Sequence, residues 1–582
     1  MQALAPEIRP DGTTVPSPTP EPAWPHVAAA ASYLVLALTV MANFVADPNG
    51  TVTTQVPNDQ TWFQWLLAHG AYTLEHLSNP LFSDRQNAPD GVNMMANTSV
   101  LGVTIPLAPV TAVFGSRIAY VVWMVGTCAG TAFTTYRVLG RHLVRNRAAA
   151  FVGGAFAGFA PGVIHHANGQ PNFVSNFLIP LIVAGVAGLG RRGRWIRDGV
   201  ILGLLITWQV FVNEEILLIT AMACAVGTIA YAVMRPGSAG DRADGFLSGL
   251  AVAAGVATVL CAYPLWFQFA GPQSYVGMPQ FAGWGEDPLA WLTFARDTVG
   301  GGDEAVEKTL GITEQNGWFG WPLVVLTPVL AALLFWRTAA ARVTCVVGAT
   351  FAVLSLGPVL RFAGTETGHP GPLFFVTPAT PLLNLMTPGR LAYVVIGALA
   401  VLLALAWDQL RVFNPIVWRL TVAAVLLPLL PTPLPARPDP SPPLFITTGA
   451  WESYVAEGSA MIPVPLPSGW TGRDSLSWSA WAGHEFPVPE GYFLGPSTDG
   501  AGFMGPPVGS RLTDLVHRTI DEGTPPSLTP EEVAEVRDEI RRWNGSVVVT
   551  RAEYGTMRAL LDGLLGPGRR VLDVWVWDVP PA

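Results

Sequence analysis

The feature that most constrains this chain is its series of long runs without a charge. Residues 118–136 and 391–407 are two clear cases, each close to 20 residues of apolar sequence. A helix rises 1.5 Å per residue, so about 20 residues cross the roughly 30 Å of hydrocarbon in a bilayer. A charged side chain at mid-bilayer costs roughly 2.5–3.5 kcal/mol, so charge-free runs of this length are what a membrane interior selects. Composition agrees: half of the 582 residues are hydrophobic and 13% are charged, against about 25% charged in soluble proteins. The sequence predicts an α-helical polytopic membrane protein.

Arginine positions orient the helices, because short basic loops stay cytoplasmic. Five such loops carry Arg137, Arg141, Arg145 and Arg147; Arg191, Arg192, Arg194 and Arg197; Arg235 and Arg242; Arg337 and Arg342; Arg411 and Arg419. Eleven spans put all five on one side: 27–46, 118–137, 148–162, 174–190, 198–212, 216–234, 245–263, 319–336, 342–360, 391–407 and 417–433. Residues 1–26 read as a disordered cytoplasmic tail without a basic leader, and 27–433 as the membrane domain. Val100 to Phe114 is apolar but holds Pro106 and Pro109, so a re-entrant or interfacial helix is expected there.

The opposite side receives the long polar loops, the first of them 47–117. A Pro-rich linker, 434–446, then precedes a C-terminal region, 447–582. That region alternates strand-like pieces (AMIPVPL, GSVVVT, RVLDVWVWDV) with amphipathic ones (RLTDLVHRTI, PEEVAEVRDEIRRW, RAEYGTMRALLDGLL). A small α/β or α+β domain outside the membrane is the expectation. The four cysteines lie in apolar segments without metal-ligand spacing. No dense Lys/Arg face exists, which excludes a nucleic-acid partner.

Candidate chemistry concentrates in the outer loops. Asp59, flanked by Asn58 and Gln60, directly follows the first span, and Trp62, Phe63 and Trp65 suit a helix lying in the interface. Asp59 near the lipid surface could act as a base, or could cap that helix. Arg390 stands at the outer end of a span, as a phosphate partner or as a snorkelling anchor. His165 and His166 share a polar loop with Asn168, Gln170 and Asn172. Adjacent histidines point apart on a helix, so together they do not form a two-histidine metal site. Glu214 and Glu215 interrupt an apolar stretch, where they mark a hinge at the outer surface or a functional acid. Glu314 lies just before another span. In the tail, Trp470, Trp478, Trp481 and Tyr492 could stack on sugars or pack the domain's own core.

Several motifs together resemble bacterial GT-C glycosyltransferases. They are the Asp59 loop with NPLFSDRQNAPDGVNMMANTS, then FAGFAPGVIHHANGQPNF, GPQSYVGMP, TEQNGWFGWPL, NLMTPGRLAY and WSAWAGHEFPVPEGYF. The resemblance implies a multispanning enzyme that takes a sugar, hexose or pentose, from a polyprenyl-phosphate carrier on the outer face. The acceptor would be a cell-envelope glycan, lipid or protein. It implies Asp59 as base and Arg390 as the phosphate contact; Asn58, Gln60, His165, His166, Gln170 and Glu314, read from the polar loops themselves, are candidates to line the substrate site, with plain loop residues the other reading of the histidines and a place beside a helix cap that of Glu314. A divalent cation, Mg or Mn, is a further implied aid, with no ligands assigned. Better-known members often carry two adjacent carboxylates in the first loop, whereas here Asn58 precedes Asp59. A transporter or flippase of lipid-linked saccharide is the alternative, and a non-catalytic envelope scaffold a third. Mid-span positions are almost purely apolar and polarity gathers on one face, which favours surface chemistry over passage.

Overall fold

The computed structural model describes residues 22–190, 193–278, 283–308, 311, 313–376, 380, 382–410, 414–469 and 471–579. Most of the expected N-terminal tail, together with Arg191, Arg192, Arg411 and Trp470, lies outside the described residues. The protein is a multi-pass helical membrane protein. Five described helices are long and apolar enough to cross a bilayer: Ser116–His142, Arg147–His166, Glu214–Met234, Pro236–Ala270 and Pro388–Gln409. Shorter apolar helices include Trp24–Val40, Gly320–Phe335 and Ala339–Leu354.

Three of these helices connect two chemically different ends of the bundle. Arg147–His166, Glu214–Met234 and Pro388–Gln409 have 20, 21 and 22 residues, or about 30–33 Å each at 1.5 Å per residue. At one end the basic loops meet. Asp408 accepts from the backbone N–H of Arg145 and Asn146, at 3.3 and 2.9 Å, and Arg337 donates to the Gln409 carbonyl at 2.9 Å. At the other end His166, Glu215 and Arg390 converge.

Close helix approach is built on glycine. A Cβ on Gly154 would stand 2.6 Å from the Ala132 carbonyl, and one on Gly153 would stand 2.8 Å from that of Ala400. Arg147–Phe159 is therefore sandwiched between Ser116–His142 and Ala392–Gln409, the small-residue packing that membrane helices use. Pro236–Ala270 instead leaves Leu247, Val259 and Trp266 exposed, as expected of a lipid-facing helix.

Several boundaries differ from the sequence expectation. The 174–190 span narrows to Ile179–Gly188, behind a separate short helix, Pro171–Val174. The 245–263 span grows to Pro236–Ala270, because Pro236 suits a first helical turn and the helix continues through Pro264 as far as Ala270. The stretch 198–234 divides at Asn213, whose side chain caps Glu214–Met234 by accepting from Ile216 N–H. Leu101–Phe114 forms a helix despite its two prolines.

The C-terminal region holds a four-stranded mixed sheet of Arg569–Val571, Val574–Asp578, Gly545–Arg551 and Ala460–Pro463, in that spatial order. Arg511–Glu522, Pro530–Arg542 and Gly555–Leu565 pack on it around Leu512, Leu560 and Val548. Thr529 and Glu532 form a capping box at the start of the second of these helices. The other apolar cluster of the domain contains Phe445, Met461, Trp478 and Phe486.

The Pro-rich segment is not a free spacer. Ala436–Pro438 pairs antiparallel with Thr51–Thr53 of the first outer loop. One residue on, Asp439 meets Arg117 at 2.9 Å, each side chain 4% exposed, and Arg473 binds the other carboxylate oxygen. Arg117 also donates to Ser477 Oγ at 3.0 Å and to the Asn49 carbonyl. These contacts fasten the C-terminal region against the first loop, so both elements contribute to one site.

Candidate active site

The first outer loop folds back as the helix Pro57–Glu75, with proline at its first position and Asp59 in its first turn. Trp62 and Trp65 stack at 5.2 Å between ring centroids and are buried, which anchors the helix and fixes Asp59. The carboxylate is not used as a cap. Its Oδ2 accepts from Gln170 Nε2 at 2.8 Å, and its Oδ1 accepts from the Tyr492 hydroxyl of the C-terminal region. Burial pushes the Asp59 carboxyl above the ordinary carboxylate range, opposed by these two hydrogen bonds and by the charge of Arg390.

From Gln170 the contacts run continuously inward. Gln170 Oε1 faces His166 Nδ1 at 2.6 Å, and His166 Nε2 faces Asn316 Oδ1 at 2.7 Å. Asn316 Nδ2 donates to Glu314 Oε2 at 2.8 Å. Glu314 Oε1 accepts from Arg390 Nη2 at 2.6 Å and from Nε at 3.1 Å. Arg390 Nη1 donates to Glu215 Oε2 at 2.6 Å, and the other Glu215 oxygen takes the Thr387 backbone N–H at 2.9 Å. The guanidinium lies 4.1 Å above the Phe173 ring, a cation–π contact. Arginine commits Nε and one hydrogen on each terminal nitrogen here, which leaves two N–H donors for a further anion.

Burial divides this network in two. Asp59, Gln170, Glu215, Arg390 and Tyr492 keep partial exposure, while His166, Asn316 and Glu314 are buried behind them. The exposed row can touch a substrate, and the buried row holds it in place. For Glu314, burial acts upward, but Arg390 and His166 outweigh it and hold the carboxyl below its usual range. Glu286 lies beside it and is driven well above the carboxylate range, by burial first and by the Glu314 charge second.

Other residues singled out from the sequence are placed elsewhere. Gln60 accepts the Thr53 backbone N–H at 2.8 Å and so supports the loop strand. Asn58 donates to the Gly469 carbonyl at 2.9 Å. The two histidine rings diverge, with an interplanar angle of 73°, and His165 faces Asp297 at 3.7 Å, on a contact set shared with Asn168 and Gln55. Glu214 accepts from Gln268 Nε2 at 2.8 Å, away from Glu215's partners. Trp478 packs in the C-terminal core and Trp481 is exposed. The sequence alone points to no role for Asn316 or Glu286, and offers Tyr492 as a sugar-stacking surface or a core residue rather than as a hydrogen-bond donor to Asp59. Asn316 lay inside the TEQNGWFG motif, and its polarity between apolar neighbours was the available signal.

As arranged, these residues do not fit a divalent cation. Both Asp59 oxygens accept from protein donors, and Glu215 and Glu314 are bound by Arg390. Among the described residues no group of three or more His, Cys, Asp or Glu could hold a metal. Arg390 is the arginine to which two of the site's acids are bound.

No family model and no curated protein sequence matches the chain. Among solved structures it is similar to the arabinofuranosyltransferase AftD from Mycobacteria, with a TM-score of 0.52 and 15% identity over 97% of this chain and 42% of that one. The chain thus spans less than half the length of that enzyme. Weaker likenesses are to the oligosaccharyltransferase of Archaeoglobus fulgidus (TM-score 0.45, 12% identity, 94% and 72% covered) and to ArnT from Cupriavidus metallidurans (0.47, 11%, 95% and 97%). The likeness is one of fold: over nearly its whole length this chain shares the fold of the GT-C glycosyltransferase AftD.

Proposed function

We propose that the protein transfers a sugar from a polyprenyl-phosphate carrier to a cell-envelope acceptor at the outer membrane face. The observation that carries this reading is Asp59: a partly exposed residue in the first turn of a largely buried helix, its carboxylate accepting two hydrogen bonds and linked to an anchored arginine. The basic loops at the opposite end of the bundle support an outward orientation for this end, with the C-terminal region outside the cell.

In the proposed reaction Asp59 takes the proton of an acceptor hydroxyl as its oxygen attacks the anomeric carbon. The bond from that carbon to the phosphate oxygen breaks, and the polyprenyl phosphate departs with the electron pair. Phosphate is already a good leaving group, so it needs charge stabilisation more than a proton. The two uncommitted N–H donors of Arg390 suit that role, and Glu215 and Glu314 fix the direction of the fork. The apolar lateral surface of the bundle gives the carrier's hydrocarbon tail a solvent it shares with the helices. A flippase would need polar residues along the spans, and the polar groups here collect at one end.

The test is sugar transfer by purified protein in nanodiscs, comparing wild type with Asp59→Asn over a panel of polyprenyl-phosphate hexose and pentose donors. A rate loss of about 10²–10⁴ with unchanged thermal unfolding is expected for removal of a general base. Equal turnover by the two proteins would remove Asp59 from the chemistry.

A further inference from the structure

With Asp59 ionised, as the proposed base must be, and Glu314 paired with Arg390, two carboxylates fix the direction of the hydrogen bonds that reach His166. Asp59 accepts at both oxygens, so the Gln170 amide presents its N–H₂ to Asp59 and its carbonyl oxygen to His166 Nδ1, at 2.6 Å. Glu314 is bound by Arg390, so the Asn316 amide presents its N–H₂ to Glu314 and its oxygen to His166 Nε2, at 2.7 Å. An amide oxygen can only accept, and a neutral imidazole carries one N–H and one lone pair. A neutral ring would therefore set a lone pair against an oxygen at one of these two contacts. Turning either amide over does not help, since its oxygen would then face a carboxylate.

We infer that His166 is a doubly donating imidazolium, a positioning residue that orients Gln170 and Asn316 and thereby keeps Asp59 and Glu314 ionised. This deepens the proposed reaction and rests on that reading, because an ionised Asp59, as the proposed base requires, is what sets the donor directions around the ring. The charges facing the ring are consistent with it. The Glu314 carboxylate lies 4.0 Å from Nε2, with Asp59 one amide away. Glu215 lies beyond Arg390, and Glu286 flanks Glu314. Opposing the charge are burial, Arg390 behind Glu314, and the neighbouring His165 ring at 6.3 Å, which itself faces Asp297. The Phe173 and Tyr393 rings, at 4.9 and 5.7 Å, complete the enclosure without adding charge. With Asp59, Glu215 and Glu314 ionised, Arg390 alone leaves two negative charges uncompensated, and the imidazolium halves that excess.

The deciding experiment needs no substrate. Full-length protein labelled with ¹⁵N-histidine in nanodiscs is examined by NMR, with the His166 signals assigned by loss in His166→Gln. If that variant does not fold, the contact of the ring with Phe173 provides the assignment. Two N–H nitrogens on His166 at pH 7 are expected in wild type, and one in Glu314→Gln, where a carboxylate that pairs with the cation is gone. A bare ring nitrogen at pH 7 in wild type overturns the inference whatever Asp59→Asn does to activity. In sugar transfer, His166→Gln is expected to lower kcat by about tenfold with KM changed less than twofold, and to move the acid limb of the pH profile upward, because Asp59 then holds its proton to higher pH. An unmoved acid limb would show a role in packing only, and would also overturn it.

Discussion

The end of this protein that carries Asp59 contains two ionic clusters built from acids and arginines with opposite logic. In the first, Arg117, Asp439, Arg473, Asp474 and Arg551 alternate in sign along a chain of contacts, each acid held between two arginines. In the second, Asp59, Glu215, Glu314 and Glu286 gather around Arg390, and acid exceeds base. The alternating cluster joins the C-terminal region to the first loop and needs nothing more. The acid-rich cluster keeps Asp59 and Arg390 partly exposed and retains unspent donors on the guanidinium. Alternation of sign, with every acid held between two arginines, marks a fastening, and an excess of acid with access marks a place for chemistry.

The sharpest way to break this comparison is to remove one acid from each cluster. Asp59→Asn is expected to lose about 10²–10⁴ in transfer rate while the fold is retained. Asp439→Asn should do the reverse, because Arg117 would then be buried without its acid partner while Arg473 keeps only Asp474, at a cost of about 3–5 kcal/mol. Limited proteolysis and thermal unfolding in detergent would read this as early release of the C-terminal region. If Asp439→Asn melts like wild type, the fastening role is wrong.

The next effect tests geometry at constant charge. Arg390→Lys keeps the cation but removes the fork that spans Glu215, Glu314 and a third anion. Transfer is expected to fall about 10–100-fold, the equivalent of one or two charge-assisted hydrogen bonds at about 1.4–2.8 kcal/mol, with a raised KM for the lipid-linked donor. A lysine variant as active as wild type would mean that only the charge at position 390 matters.

How far these clusters were legible in the sequence follows from the range of their contacts. Helix periods, the hinge at Asn213 and the strands and helices of the C-terminal region are local patterns, and the sequence displays them directly. Asp59, Glu314 and Arg390 stood out because charge beside apolar sequence is conspicuous. Their pairing did not, since Gln170 is 111 positions from Asp59 and Tyr492 is 433. Asn316 and Tyr492 are ordinary loop residues until a distant partner arrives. The Pro-rich segment misled for a related reason. Its composition suits a spacer, but Ala436–Pro438 finds an unpaired strand nearly 400 residues earlier and becomes part of a sheet.

The smallest effect sharpens the comparison at its boundary, where the C-terminal region meets the acid-rich cluster through the Tyr492 hydroxyl. Tyr492→Phe removes one neutral donor to Asp59 and leaves the alternating cluster intact. A hydrogen bond to the charged form holds a carboxyl pKa down, so its loss raises that of Asp59 further above the ordinary range. A base works only when deprotonated, so the acid limb of the transfer profile should move to higher pH by about one unit, for a bond worth roughly 1.4 kcal/mol. The plateau rate above that limb should change less than threefold, and thermal unfolding should not change. A plateau lost as completely as in Asp59→Asn would make the tyrosine hydroxyl part of the chemistry. An unmoved limb would mean that the C-terminal region closes over the site without tuning it.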